Sequence, residues 1–99
     1  MKYEIETTEE FDSWFLTLKD KTVKNKLLSR IDRVKNGNFG DFKPLEANLF
    51  ELRFFFGSGF RIYYTIKNGL IVFLLTGGDK STQQNDIKNA LSLLKQLEE

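Results

Sequence analysis

Three apolar runs, "LFELRFFF", "FRIYYTIK" and "LIVFLLT", follow one another between residues 49 and 76, and the last two are joined by Asn68-Gly69. Each run has the length of a single strand and is rich in β-branched and aromatic residues. Asn-Gly is the strongest short hairpin signal, because a type I′ turn needs positive φ at both central residues. The chain is therefore expected to build an antiparallel meander, and its other elements must cover that sheet.

Upstream, "KYEIE" reads as a short edge strand. "TTEEFDSWFLTLK" has the capping-box spacing Thr7 to Glu10 and puts Phe11, Trp14, Phe15 and Leu18 on one helical face. In "DKTVKNKLLSRIDRVKNG" the stripe Val23, Leu27, Ile31 and Val34, widened by Leu28, marks a second helix that stops at Asn36-Gly37. Downstream, Ile87, Ala90, Leu91, Leu94 and Leu97 mark a last helix over residues 83–97. The order is β-α-α-β-β-β-α: a single small α+β domain over residues 1–99, with a helical hairpin packed on a mostly antiparallel four-stranded sheet and a C-terminal helix. No internal repeat or linker interrupts it.

Composition narrows the chemistry. The chain has no cysteine and no histidine, which removes disulfides, thiolate metal sites, a cysteine nucleophile and the usual neutral-pH base. Any catalysis must use Lys, Arg, Asp, Glu or Tyr, with no metal or cofactor expected. No segment approaches the ~18 apolar residues of a membrane span, and the N-terminus has no apolar signal core, so a cytoplasmic protein without membrane contact is expected. A net charge of +1 conceals asymmetry: residues 19–35 hold seven Lys/Arg against two Asp, and residues 1–12 hold five acids against one Lys.

Alternation places Phe50, Leu52, Phe54 and Phe56 on one face of the sheet and Leu49, Glu51, Arg53 and Phe55 on the other. In the next strand Arg61, Tyr63, Thr65 and Lys67 share the polar face. With residues 57–59 as a three-residue loop, Phe56 pairs with Phe60 and Arg53 faces Tyr63, leaving Arg53 and Arg61 diagonal neighbours. A two-residue turn at Asn68-Gly69 pairs Lys67 with Leu70 and carries Arg61 opposite Thr76. Lys80 then leaves the sheet beside Arg61. Three converging cations suit a phosphate. The pattern equally admits Arg53 paired with Glu51 or Asp79, Arg61 with Asp79 or Asp86, and Lys80 merely opening a loop.

Three further features divide the same way. The basic helix face, with Lys24, Arg30 and Arg33, is either an RNA-docking surface or a solvated helix face. Tyr63 either stacks on a base or packs against a helix. The C-terminal apolar stripe either closes the core or exchanges with a partner segment.

"ELR", "GSGFRIYY" and "LLTGGDKSTQQNDI" in succession resemble the RelE/ParE toxin superfamily of type II toxin-antitoxin modules, most closely its HigB-like addiction module killer branch. The resemblance covers residues 30–94 in detail. It implies a toxin held inactive by a cognate antitoxin, contacting operator DNA only through that complex, and acting as a ribosome-dependent endoribonuclease (mRNA interferase) that blocks translation. It assigns phosphate contact to Arg61 and Arg53, and leaving-group stabilisation to Lys80. Where several relatives carry Tyr or His, this chain has Gln83, Gln84 and Asp86. Cleavage would then be metal-free attack of the RNA 2′-hydroxyl on the adjacent phosphate, with Asp86 or Glu51 accepting its proton and electrostatic stabilisation dominating. The alternative within the superfamily is a non-enzymatic ParE-like toxin that inhibits DNA gyrase.

Overall fold

The computed structural model describes residues 2–98. Strand β1 (Glu4–Thr7) leads into helices α1 (Glu9–Thr17) and α2 (Lys21–Lys35). Strands β2 (Phe42–Pro44), β3 (Phe50–Arg53), β4 (Arg61–Lys67) and β5 (Ile71–Gly78) follow, then a 3₁₀ turn (Lys80–Thr82) and α3 (Gln83–Glu98). The sheet order is β1-β5-β4-β3-β2; β1 runs parallel to β5 and every other pair is antiparallel.

The expected order of helices and strands is present, with one strand more. Short β2, all of it exposed, pairs with β3 at the sheet edge and ends on Pro44, a residue an edge strand tolerates. Three residues carry too little periodicity to be read from sequence. The α1 cap also differs: Thr7 is engaged opposite Leu74 in the ladder, so the N-cap falls to Thr8, whose hydroxyl accepts from the Phe11 N–H at 3.0 Å and donates to the Leu75 carbonyl. Asp20 caps α2 by accepting from the N–H groups of Thr22 and Val23.

Each face of the sheet carries its own core. Leu52, Phe54, Ile62, Tyr64 and Leu74 pack under Phe11, Leu27 and Val34 of the helical hairpin. Leu28, expected to widen that stripe, is 50% exposed. On the opposite face Leu49, Tyr63 and Leu75 pack under Ala90, Leu93 and Leu94 of α3. The face read as polar is thus a second interior surface: Glu51, Arg61, Tyr63 and Thr65 are all buried. The C-terminal stripe closes this core.

Both strand registers differ from expectation, and the differences shape the site. Phe54 N–H bonds Phe60 O, so the turn takes in residues 55–59 and Arg53 lies directly opposite Arg61. At the second hairpin Asn68 and Gly69 have φ of 57° and 65°, as the turn demands, and Leu70 N–H closes onto Lys67 O. Pairing nevertheless resumes one residue later, at Lys67 with Ile71, and slips once more between Tyr63 and Tyr64. Two single-residue slips bring Arg61 opposite Gly78 instead of Thr76. Gly77 and Gly78 belong to the strand itself: the Trp14 ring lies so close to Gly77, and the Asp86 carboxylate and Thr82 hydroxyl to Gly78, that a Cβ at either would collide.

Candidate functional site

Two arginines directly opposite on one face repel unless an anion lies between them. Glu51, one alternation before Arg53 on the same strand, supplies it: its Oε1 is 3.8 Å from Arg61 Nε and 4.0 Å from Arg53 Nε. Its Oε2 accepts from Gln83 Nε2 of α3 at 2.8 Å. Glu51 is therefore the buried counter-ion of the pair. That position withdraws it from the proton-acceptor role expected of it.

Arg61 is only 2% exposed. Its Nη1 donates to the carbonyls of Phe54, Gly59 and Phe60 at 3.3, 3.1 and 3.0 Å, so the guanidinium holds the inside of the 55–59 turn in shape. It does not stand open to an incoming phosphate as the alternation suggested. Arg53 keeps 35% of its side chain in solvent, and its guanidinium lies 5.6 Å from the centroid of the Phe55 ring. Lys80 is exposed; its backbone approaches Ser58 O, and its aliphatic stem would touch a Cβ at Gly59. The three cations do meet at one end of the sheet, with Arg53 and Lys80 outward and Arg61 behind them.

Asp79 caps the 3₁₀ turn, accepting from Ser81 N–H at 2.9 Å and Ser81 Oγ–H at 2.6 Å, and the latter bond holds its carboxyl below the usual range. Asp86 accepts from the Thr82 hydroxyl; burial pushes its carboxyl above the usual 3.8. Raised and half-buried beside Gly78, opposite Arg61, it is the better placed of the two expected proton acceptors. Tyr63 lies beneath α3, fully buried, so it offers no stacking platform. Burial, then the charge of Glu51, pushes its phenol far above the usual 10.

The basic helix face also divides. Arg30 turns inward: Nε donates to Phe39 O at 3.0 Å, Nη1 to Arg53 O at 3.1 Å and Nη2 to Asp41 O, while its guanidinium covers the Phe54 ring at 4.9 Å. It fastens the chain entering β2 onto α2, and is no longer an RNA-binding candidate. Lys24 lies over Phe15, 5.6 Å from its centroid. Arg33 remains exposed, on the wall of a groove of about 510 Å³ between α2 and the end of β3. Lys26 and Arg53 share that groove with Phe54, Phe55 and Phe56, and Phe55 is 73% exposed. Sequence reasoning put Lys26 on the basic helix face and Phe55 on the polar side of its strand but gave Phe55 no role; the available signal was an aromatic on the polar side of a strand end beside an arginine.

Residues 13–96 match the family model described as Phage derived protein Gp49-like (DUF891). The chain belongs to the Gp49-like family. A Haemophilus influenzae protein described as uncharacterized is 48% identical over 97 residues, 98% of either chain. The Gp49-like chain superposes on a free double arginine-to-alanine mutant of the E. coli toxin RelE with a TM-score of 0.70 at 19% identity, over 93% of this chain and 97% of that one. The E. coli RelBE toxin-antitoxin complex aligns with a TM-score of 0.61 at 19% identity, over 78% and 95%. The expected RelE/ParE fold is borne out.

Proposed function

We propose that this Gp49-like chain is the toxin of a type II toxin-antitoxin module, of the HigB-like kind, and that it cleaves messenger RNA on the ribosome in the cytoplasm. One observation carries the reading: Arg53 and Lys80 are solvent-accessible at one end of the sheet, backed by the fixed charge of Arg61, beside a groove with a basic wall. RNA strand cleavage needs little more than positive charge where the phosphorane forms. The 2′-oxygen attacks phosphorus while its proton passes to Asp86; the P–O5′ bond breaks, Lys80 protonates the 5′-oxygen, and a 2′,3′-cyclic phosphate remains. Arg53 meets the phosphate directly and Arg61 adds its field from behind. The fold shared with RelBE supports a cognate antitoxin as the inhibitor, with operator DNA reached only through that complex.

The burial of Arg61 and Glu51 favours a second reading, a non-enzymatic toxin acting on DNA gyrase, because it leaves few groups free for proton transfer. Inducing the wild type, Arg53→Gln and Lys80→Gln in growing bacteria and mapping RNA 5′ ends separates the two. Cuts within translated messages, reduced about 10²-fold or more in each variant while antitoxin still co-purifies, support the nuclease. Growth arrest with DNA-damage signalling and no cuts refutes it.

A further inference from the structure

The groove between α2 and the end of β3 is distinct from the cation cluster, meeting it only at Arg53. Its volume of about 510 Å³ is that of a ligand cleft, and its walls are of two kinds. Lys26, Arg30, Arg33 and Arg53 set four cations against the single acid Asp41. Arg30 is tied to three carbonyls, which leaves Lys26, Arg33 and Arg53 to face an anion. The apolar wall is Phe54 to Phe56, and within it Phe55 stands 73% in solvent.

An exposed phenylalanine alone is unremarkable. Phe55 differs in its setting: Arg53 lies near its ring, Lys26 lies over the next aromatic, Phe56, at 4.6 Å, and Arg33 lines the same groove. A π-face beside a group of cations is how unpaired nucleic acid is held, the bases on aromatics and the phosphates on Lys/Arg. A duplex buries its base faces in its own stack and has no use for Phe55.

We propose that this groove is a subsite for unpaired RNA flanking the scissile phosphate, with one base stacked on Phe55 and the neighbouring phosphates on Lys26 and Arg33. The assignment rests on the nuclease reading for its substrate. It gives Arg53 two roles, since the residue closes the groove and opens the cluster, and it fixes which nucleotides enter by stacking, not by base-edge hydrogen bonds.

The test is fluorescence anisotropy of the full chain with a labelled, fully 2′-O-methylated hexanucleotide, which lacks the attacking hydroxyl and stays intact. Phe55→Ala should bind about tenfold more weakly with an unchanged dependence on salt, and Phe55→Trp should bind at least as well as the wild type. Replacing Lys26 and Arg33 by Gln should flatten the log K against log salt slope by about 0.7 for each phosphate that is no longer neutralised. A hairpin duplex of the same bases should show no dependence on Phe55. Equal affinity of Phe55→Ala and wild type, with matching urea midpoints, overturns the subsite. So does an acidic peptide that displaces nothing from the hexanucleotide complex yet itself requires Phe55, since the groove then belongs to a protein partner. Phe55-dependent binding without cuts in cells refutes the nuclease, and with it a subsite flanking a scissile phosphate, leaving only a groove that binds unpaired RNA; cuts in cells with Phe55-independent binding refute the subsite and leave the nuclease standing.

Discussion

Replacing Glu51 by glutamine removes one negative charge and almost no volume, and the consequence can be worked from the arginine pair. At 3.8 Å and an effective dielectric of about 20, the attraction to Arg61 is about 4 kcal/mol. Arg53 lies at 4.0 Å with 35% of its side chain in water, so screening reduces its share to about 1 kcal/mol at most. The amide oxygen can still accept from Gln83, and Arg61 keeps its three carbonyls, so the loss is chiefly that of charge. Burying an amide costs less than burying a carboxylate, which offsets part of that loss, so the expected destabilisation is about 3 kcal/mol, at the lower edge of what breaking a buried pair costs. With an m-value of about 1–1.5 kcal/mol/M, the urea midpoint should fall by about 2–3 M. The same substitution on an Arg61→Gln background should cost much less, with a coupling of about 1–3 kcal/mol. A midpoint shift below about 0.5 M, or strict additivity in the cycle, would refute the assignment of Glu51 as counter-ion.

Gly77→Ala should lose about 1–3 kcal/mol by overpacking against Trp14; because Trp14 is the sole tryptophan, its emission follows both the displacement and the melt. Arg30→Met keeps the stem but takes a donor from the carbonyls of Phe39, Asp41 and Arg53, of which, among the described residues, only Asp41 keeps a second, the Arg53 N–H, costing about 1–2 kcal/mol in chemical denaturation, and full stability would show that these bonds hold nothing. The raised carboxyl of Asp86 means that the folded state binds the proton more tightly, so its contribution is present at low pH and is lost as pH rises through the folded value. Asp86→Asn should therefore melt higher than wild type at pH 7 and lose that advantage as pH falls towards 3.8; an advantage that grows on acidification contradicts the shift.

What the sequence disclosed was whatever periodicity encodes. The three helices, the meander and its core face follow from spacing, and Asn68-Gly69 adopts the predicted dihedrals. Register is less legible, because a one-residue slip after a turn or at a bulge is settled by packing on both faces. The slips at Leu70 and near Tyr64 moved Arg61 from Thr76 to Gly78, and the longer 55–59 turn put it opposite Arg53. Alternation marked Glu51, Arg61 and Tyr63 as one polar face, but not that α3 would cover them. The same three residues that announced a site to the eye are, in the fold, partly its foundation: the buried pair shapes the turn that presents Arg53, Phe55 and Lys80.

The parallel pairing of β1 with β5 has a consequence for the order in which the chain assembles. Strands β2 to β5 join neighbours in sequence, whereas the Thr8 hydroxyl meets a carbonyl 67 residues away. Closing so long a loop has a high entropic cost, and only the completed meander offers β1 a partner. A ribosome making this protein must therefore release nearly all of it before the first strand finds its place. Amide exchange should record that history, with the β1 amides opening at lower free energy than those between β4 and β5.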